Sequence, residues 1–159
     1  MNLELENCGP EINFLDIEKF EANLSIRLPN TYKNFLYLNN GGEPIQCAVD
    51  FKENIIASNG DYIASFYELS QDVTYGLEPN MRHHGEKLPK GLIYIANSPA
   101  GNFYLLSTRE DSYGQVFYKD HEFEDKSPFD PINNQLPESI VKIADDFDEF
   151  IAKLYDPNE

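Results

Sequence analysis

Two apolar runs, GLIYIAN and NFYLLST, face each other across Ser98-Pro99-Ala100-Gly101. Branched and aromatic residues on both sides of a proline- and glycine-bearing break favour a half-buried hairpin with a four-residue loop. A tight hairpin forces its strands to be antiparallel, which excludes an all-parallel sheet around it. A second turn, REDSYG, leads into QVFYKD, so the three runs suggest a meander. SIVK, near the C-terminal end, reads either as a last strand or as an early helical turn.

Helical spacing flanks this β signal. In FLDIEKFEANL the residues Leu15, Ile17, Phe20 and Leu24 recur at roughly helical intervals, Asp16 is a candidate N-cap, and Glu18, Lys19 and Glu21 point to solvent. From Leu28 to Gly42, Pro29 suits a first helical turn, because its missing N–H has no partner there anyway. Tyr32, Phe35, Leu36 and Asn39 form one stripe, and Gly41 and Gly42 supply the positive φ that ends a helix. Near the C-terminus Phe147, Phe150, Ile151 and Leu154 share a face, and Asp146 with Glu149 resembles a capping box. Between these, IQCAVDF alternates, with Ile45, Cys47, Val49 and Phe51 on one side. ENIIAS and DYIASFYELS read as further strands about a turn at SNGD, residues 71–90 as a long connection with room for a short helix, and 121–138 as a surface loop.

Charge narrows the function. A length of 159 residues suits one domain, and 28 Asp and Glu against 12 Lys and Arg leave a net charge of -16. Such a chain repels nucleic acid and anionic membranes, since phosphate binding needs cations to displace counterions. The acidity either serves solubility alone or favours a basic protein partner. Cys8 and Cys47 are far apart and read as reduced thiols. The start, MNLELENCGP, has neither the basic nor the apolar region of a secretory signal, and no apolar run approaches the ~18 residues a membrane span needs. Asn23-Leu24-Ser25 is a glycosylation sequon without a secretory context. The expectation is a cytoplasmic protein.

A search for chemistry finds none. His83 and His84 are adjacent, so on a strand they face opposite ways and on a helix they diverge by about 100°. His121 lies between Asp120 and Glu122, a triplet suited to a solvated turn. Neither place has the ligand spacing of a metal site. Ser98, Ser107 and Cys47 could each be paired on paper with a histidine, but no G-x-S-x-G elbow or cysteine-protease signature supports it. With 28 carboxylates, near pairs such as Asp50 and Glu53 arise by chance. Gly41-Gly42 lacks the Lys and Ser/Thr of a P-loop, and PAGN is explained by its hairpin. The expectation is no catalytic residue, no cofactor and no metal.

The ordered set of blocks resembles the SUKH superfamily, which comprises the Smi/Knr type of fungal cell-wall-synthesis regulator and many bacterial immunity proteins. The matching residues are Ile17, Phe20 and Glu21; then Leu28, Pro29, Tyr32, Phe35 and Leu36; then Asn40, Gly41 and Gly42. Downstream come LIYIA, Gly101-Asn102, FYLLS, Gly114-Gln115-Val116, Asp120-His121, and finally Phe147, Phe150 and Ile151. The match covers about half the chain. Ser25 departs from it, because the family prefers glycine between its first two helices. The resemblance implies an α+β fold: a largely antiparallel twisted β-sheet with N-terminal helices and a C-terminal helix packed against it. It implies one domain over 1–159 with its core at about 14–155.

The same resemblance implies a non-catalytic protein-binding domain, either an immunity protein that neutralises a cognate toxin or a regulatory adaptor for cell-wall or signalling proteins. Fungal members carry long disordered arms; here the domain fills nearly the whole chain, which favours the compact bacterial type. Toxins of this kind are often nucleases, whose grooves must be basic to hold phosphate. The contact surface is expected in the unaligned middle, around Asp50, Glu53, Asp61, Tyr62, Glu68, Asp72 and Tyr75. Partners are thus expected to be a protein, a basic toxin among the candidates, with no nucleic acid and no membrane, and the chain itself a monomer or weak homodimer.

Overall fold

The computed structural model describes residues 3–55, 58–84, 88–123, 125 and 135–159. Among them the elements run β1 (Leu5–Glu6), α1 (Phe14–Leu24), α2 (Asn30–Asn39), β2 (Glu43–Pro44), β3 (Ala48–Ile55), β4 (Ser58–Tyr62) and β5 (Ser65–Phe66). Then follow α3 (Leu77–His84), β6 (Leu92–Asn97), β7 (Phe103–Ser107), β8 (Val116–Lys119), β9 (Ile140–Ala144) and α4 (Phe147–Ala152). Strands β5 to β9 lie side by side in sequence order as one antiparallel sheet, and β1–β2 and β3–β4 form two smaller antiparallel pairs. The fold is α+β, with N-terminal helices and a C-terminal helix. No helix among the described residues is long and apolar enough to cross a membrane.

The central hairpin forms where its sequence places it. Leu92 to Asn97 pairs with Phe103 to Ser107, and the loop is closed by the Ser98 N–H on the Asn102 carbonyl at 2.9 Å. Gly101, at φ 88, makes the reversal that a side chain would resist. Strand β8 completes the meander, and SIVK supplies β9, which pairs Val141 with Tyr118.

Helix α1 begins with a reciprocal cap. The Asn13 side chain accepts the Asp16 N–H at 3.0 Å, and the Asp16 carboxylate accepts the Asn13 N–H at 2.9 Å. Asp16 is therefore the third helical residue and not the cap, because Asn13 holds the extended backbone (φ -115, ψ 173) that a cap requires. At the far end Ser25 is left-handed (φ 53, ψ 46), a conformation that glycine adopts without penalty, which explains the family's preference there. Glu21 does not point to solvent. Its carboxylate accepts the Leu28 N–H at 2.7 Å and lies 3.4 Å from the Lys33 ammonium, tying α1 to the start of α2.

Pro29 precedes α2 as its N-cap, at φ -58 and ψ 143, rather than sitting in its first turn. The helix ends at Asn40, which takes the left-handed conformation (φ 48) ahead of the two glycines. Asn40 is buried for a second reason. Its amide donates to the Pro10 carbonyl at 2.7 Å, and its oxygen accepts the Leu69 N–H at 2.7 Å, joining the N-terminal segment to the chain after β5. Gly41 (φ 83) and Gly42 (φ 114) then pass so close to the backbone of β5 and β1 that neither could carry a Cβ without a clash.

The helices meet the sheet through aromatic rings. Tyr32 of α2 packs edge-on to Phe147 of α4 at 5.2 Å, Phe35 lies 5.0 Å from Phe66 of β5, and Phe150 lies 5.5 Å from Tyr104 of β7. Each such pair contributes about 0.5–1.5 kcal/mol beyond the area buried. The Tyr32 hydroxyl is enclosed with no hydrogen-bond partner among the described residues. Burial drives its ionisation far above the usual tyrosine range. Leaving a hydroxyl dry costs about 1–3 kcal/mol, so Tyr32→Phe should raise stability by about 1 kcal/mol. Urea unfolding checks this, and a loss of stability would show that the hydroxyl has a partner.

Three expectations for the middle of the chain are corrected. SNGD is not a turn: Ser58 pairs with Ile55 and Gly60 with Asp50, so these residues belong to β4. Gly60 makes that possible, because a Cβ there would sit 2.4 Å from the Val49 carbonyl oxygen. DYIASFYELS is two strands in different sheets, divided where the Ile63 N–H bonds Cys47 and the Ala64 N–H bonds Asn97. Strand β3 starts at Ala48, which leaves Ile45 and Cys47 half-buried ahead of it. Residues 71–90 hold α3. Most of the surface loop expected at 121–138 lies outside the described residues.

Candidate protein-binding surface

The β3–β4 hairpin packs one face on the main sheet. Phe51 lies 4.8 Å from the Tyr118 ring, and the Tyr104 hydroxyl donates to the Tyr62 carbonyl at 3.0 Å. Strand alternation sends Val49, Phe51 and Ile63 inward and turns Asp50 and Tyr62 outward. On the other side of β3 the chain returns after α4, and Tyr155 forms an antiparallel bridge with Ala48 through two 3.0 Å hydrogen bonds. Tyr62 and Tyr155 therefore stand on either side of Ala48, 50% and 44% exposed. The Tyr155 hydroxyl donates to Asp50 at 2.9 Å, and that hydrogen bond raises the tyrosine's ionisation. Two exposed rings, one fixed by a carboxylate, make a surface suited to protein contact. Tyrosine offers large apolar area with few rotatable bonds and one polar tip.

Asp61 turns the opposite way. Its carboxylate accepts the Tyr118 hydroxyl at 2.7 Å and the Asn102 amide at 3.2 Å behind the hairpin. Asn102 also donates to the Tyr118 hydroxyl at 2.8 Å, and its oxygen meets the His121 N–H at 3.0 Å and Nδ1 at 2.7 Å. Burial, then the Asp61 hydrogen bond, pushes the Tyr118 hydroxyl far above its ordinary ionisation, so it stays a donor. The arrangement clasps the hairpin, the β6–β7 loop and the end of β8 together. Nothing in the spacing of these residues along the chain announces it, although Gly101-Asn102 and Asp120-His121 are both part of the family resemblance.

Glu68, Asp72 and Tyr75 lie on the connection between β5 and α3. The Asp72 carboxylate accepts the Thr74 and Tyr75 N–H groups, both at 2.8 Å, and so folds the turn. The turn brings Tyr75 back to Glu68, whose N–H donates to the Tyr75 carbonyl at 2.8 Å. Glu68 and Tyr75 then share a cleft of about 270 Å³ with Asn7 and Glu43. Glu53 lies in β3, and its side chain is outside the described residues. The seven expected residues thus divide into an outward pair on the hairpin (Asp50, Tyr62), a pair on the cleft (Glu68, Tyr75), two carboxylates that hold backbone or hydroxyl groups (Asp61, Asp72), and Glu53. Tyr155 joins the first pair and was not foreseeable, because it reaches Asp50 only through the bridge to Ala48.

Cys8 and Cys47 are free thiols, and partial burial raises the Cys8 thiol above its usual range. Among the described residues no three His, Cys, Asp or Glu side chains are grouped to hold a metal ion. The SMI1 / KNR4 family (SUKH-1) model matches residues 12–153. No curated protein matches the chain.

Proposed function

The chain belongs to the SMI1 / KNR4 family (SUKH-1), and from that premise we propose that it is a protein-binding domain without catalytic chemistry, an immunity protein that neutralises a basic toxin by covering it. The observation that carries this reading is the outer face of the β3–β4 hairpin, where Tyr62, Tyr155 and Asp50 stand together and exposed. Tyrosines supply the anchoring area. A net charge of -16 supplies long-range attraction to a cationic partner and speeds the encounter. On this reading the chain acts in the cytoplasm, as a monomer or weak homodimer, and touches neither nucleic acid nor membrane.

The test is binding to a basic protein encoded beside it. The complex should weaken as salt rises, since exposed charges more than about 8 Å apart are screened at physiological ionic strength. The Tyr62→Ala, Tyr155→Ala double variant should lose about 2 kcal/mol of binding, roughly 30-fold in Kd. Recovery of no basic partner from the native host at low salt removes the immunity reading. A complex that the double variant forms equally well removes the hairpin face and leaves the function standing.

A further inference from the structure

Tyr62 turns outward, yet both of its peptide groups are held by side chains that face the main sheet. Its N–H donates to the Asp61 carboxylate at 2.7 Å, and its carbonyl accepts the Tyr104 hydroxyl at 3.0 Å. Asp61 in turn accepts the Tyr118 hydroxyl at 2.7 Å and the Asn102 amide at 3.2 Å. Where the exposed ring stands therefore depends on Asn102, Tyr104 and Tyr118, all of them buried. The hairpin needs such support. Strands β3 and β4 form a two-stranded sheet of their own, and an isolated hairpin is at best marginally stable in water.

Asn102 is the centre of the arrangement. An asparagine side chain can donate twice and accept twice. Here the nitrogen donates to Asp61 at 3.2 Å and to the Tyr118 hydroxyl at 2.8 Å, while the oxygen meets the His121 N–H at 3.0 Å and Nδ1 at 2.7 Å. The Asn102 N–H is itself held by Ser98 Oγ at 3.0 Å. These bonds fix the amide's orientation, since turning it over would set an oxygen against the Asp61 carboxylate and N–H groups against the His121 N–H. They fix the histidine as well. An oxygen that accepts from Nδ1 requires the proton there, so the neutral His121 ring carries it on Nδ1 and leaves Nε2 bare.

We propose that Asn102 is a positioning residue for the Tyr62–Tyr155 face: it holds β4 on the main sheet through Asp61 and so sets Tyr62 for contact, without itself meeting the partner. A hairpin released from this hold keeps both rings but presents them only for the fraction of time it is docked, and affinity falls with that fraction. The inference rests on the immunity reading only for what the face binds. Its test uses the chain alone, so either can fail without the other.

The experiment is amide hydrogen exchange followed by NMR on the full chain, unaltered and as Asn102→Leu and Tyr118→Phe. The Ile63 N–H, bonded to the Cys47 carbonyl at 2.7 Å, reports on the hairpin; the Ser107 N–H, bonded to the Gln115 carbonyl at 2.9 Å, reports on the main sheet. Ile63 should exchange at least about tenfold faster in Asn102→Leu and at least about threefold faster in Tyr118→Phe, with Ser107 unchanged in both. Long-range proton–nitrogen spectra should show the Nδ1–H tautomer of His121 in the unaltered chain and a shift toward Nε2–H in Asn102→Leu. Loss of global stability alone would accelerate both amides together and leave the tautomer in place. The proposal is overturned if Ile63 keeps its exchange rate in either folded variant, if Ser107 accelerates as much as Ile63, or if the unaltered His121 carries its proton on Nε2. Should Asn102→Leu fail to fold, Tyr118→Phe, which keeps its ring against Phe51, decides the matter.

Discussion

Gly41→Ala should destabilise the chain by about 3 kcal/mol or more. Two costs combine. At φ 83 the backbone of Gly41 is in the left-handed region, which costs a residue with a side chain about 1–2 kcal/mol. A Cβ there would also stand 2.9 Å from the carbonyl oxygens of both Phe66 and Tyr67. Those oxygens belong to backbone, so relief requires β5 to move. That strand is held to Gly42 by the Phe66 N–H on the Gly42 carbonyl at 2.8 Å, and it forms the edge of the main sheet beside β6. Gly114 gives a matched control: its φ is also 83, but among the described residues a Cβ would meet nothing nearer than Pro29, at 3.9 Å. Gly114→Ala should therefore show the conformational cost alone. Urea unfolding of the two variants separates the terms, and equal losses would remove the close approach from the explanation.

Stability should stay level to about pH 10 and then collapse. Burial raises the ionisation of Tyr67 to about 12 and carries Tyr32, Tyr94 and Tyr104 higher still, against about 10 in an unfolded chain. A raised acid keeps its proton in the folded state while the unfolded state releases it. Below pH 10 both states hold the proton and stability is unaffected; above it, the unfolded state gains free energy with each pH unit. Each buried tyrosine contributes up to about 1.4 kcal/mol per pH unit, so these four together approach roughly 5. Tyr118 adds to the loss with the same sign. A domain stable by about 5–15 kcal/mol then unfolds within one to three pH units. Tyrosinate absorbance and circular dichroism should change together in one cooperative step, and Tyr94→Phe should make the decline shallower. Gradual tyrosinate formation in a chain that stays folded would contradict the account.

Helix spans, the β6–β7 hairpin and the Asp146 cap were legible because each depends on residues a few positions apart. The Asp146 carboxylate does accept the Glu149 N–H, at 2.8 Å, and Phe147, Phe150, Ile151 and Leu154 are buried together. The start of α1 was read three residues late, since Asn13 and Asp16 can both cap and only their reciprocal bonding assigns the roles. The Asn40-Gly41-Gly42 run showed where α2 ends. It did not show that Asn40 reaches Pro10 and Leu69, because those partners come from opposite ends of that part of the chain.

The candidate surface was half legible. Asp61 and Tyr62 are neighbours on a strand, so they cannot face the same way, and this follows from period two alone. Which of them turns inward depends on the Val49–Asp61 register and on Tyr118 and Asn102 waiting behind the hairpin.

Residue order by itself determined the local elements, the glycine-dependent turns, the excess of negative charge and the family to which the chain belongs. Only the tertiary structure decided that Tyr155 lies beside Ala48 and that Asp61 reaches Tyr118 and Asn102. Turns and caps are governed by atoms a few bonds apart, whereas these groupings form only when distant segments are packed against a shared core.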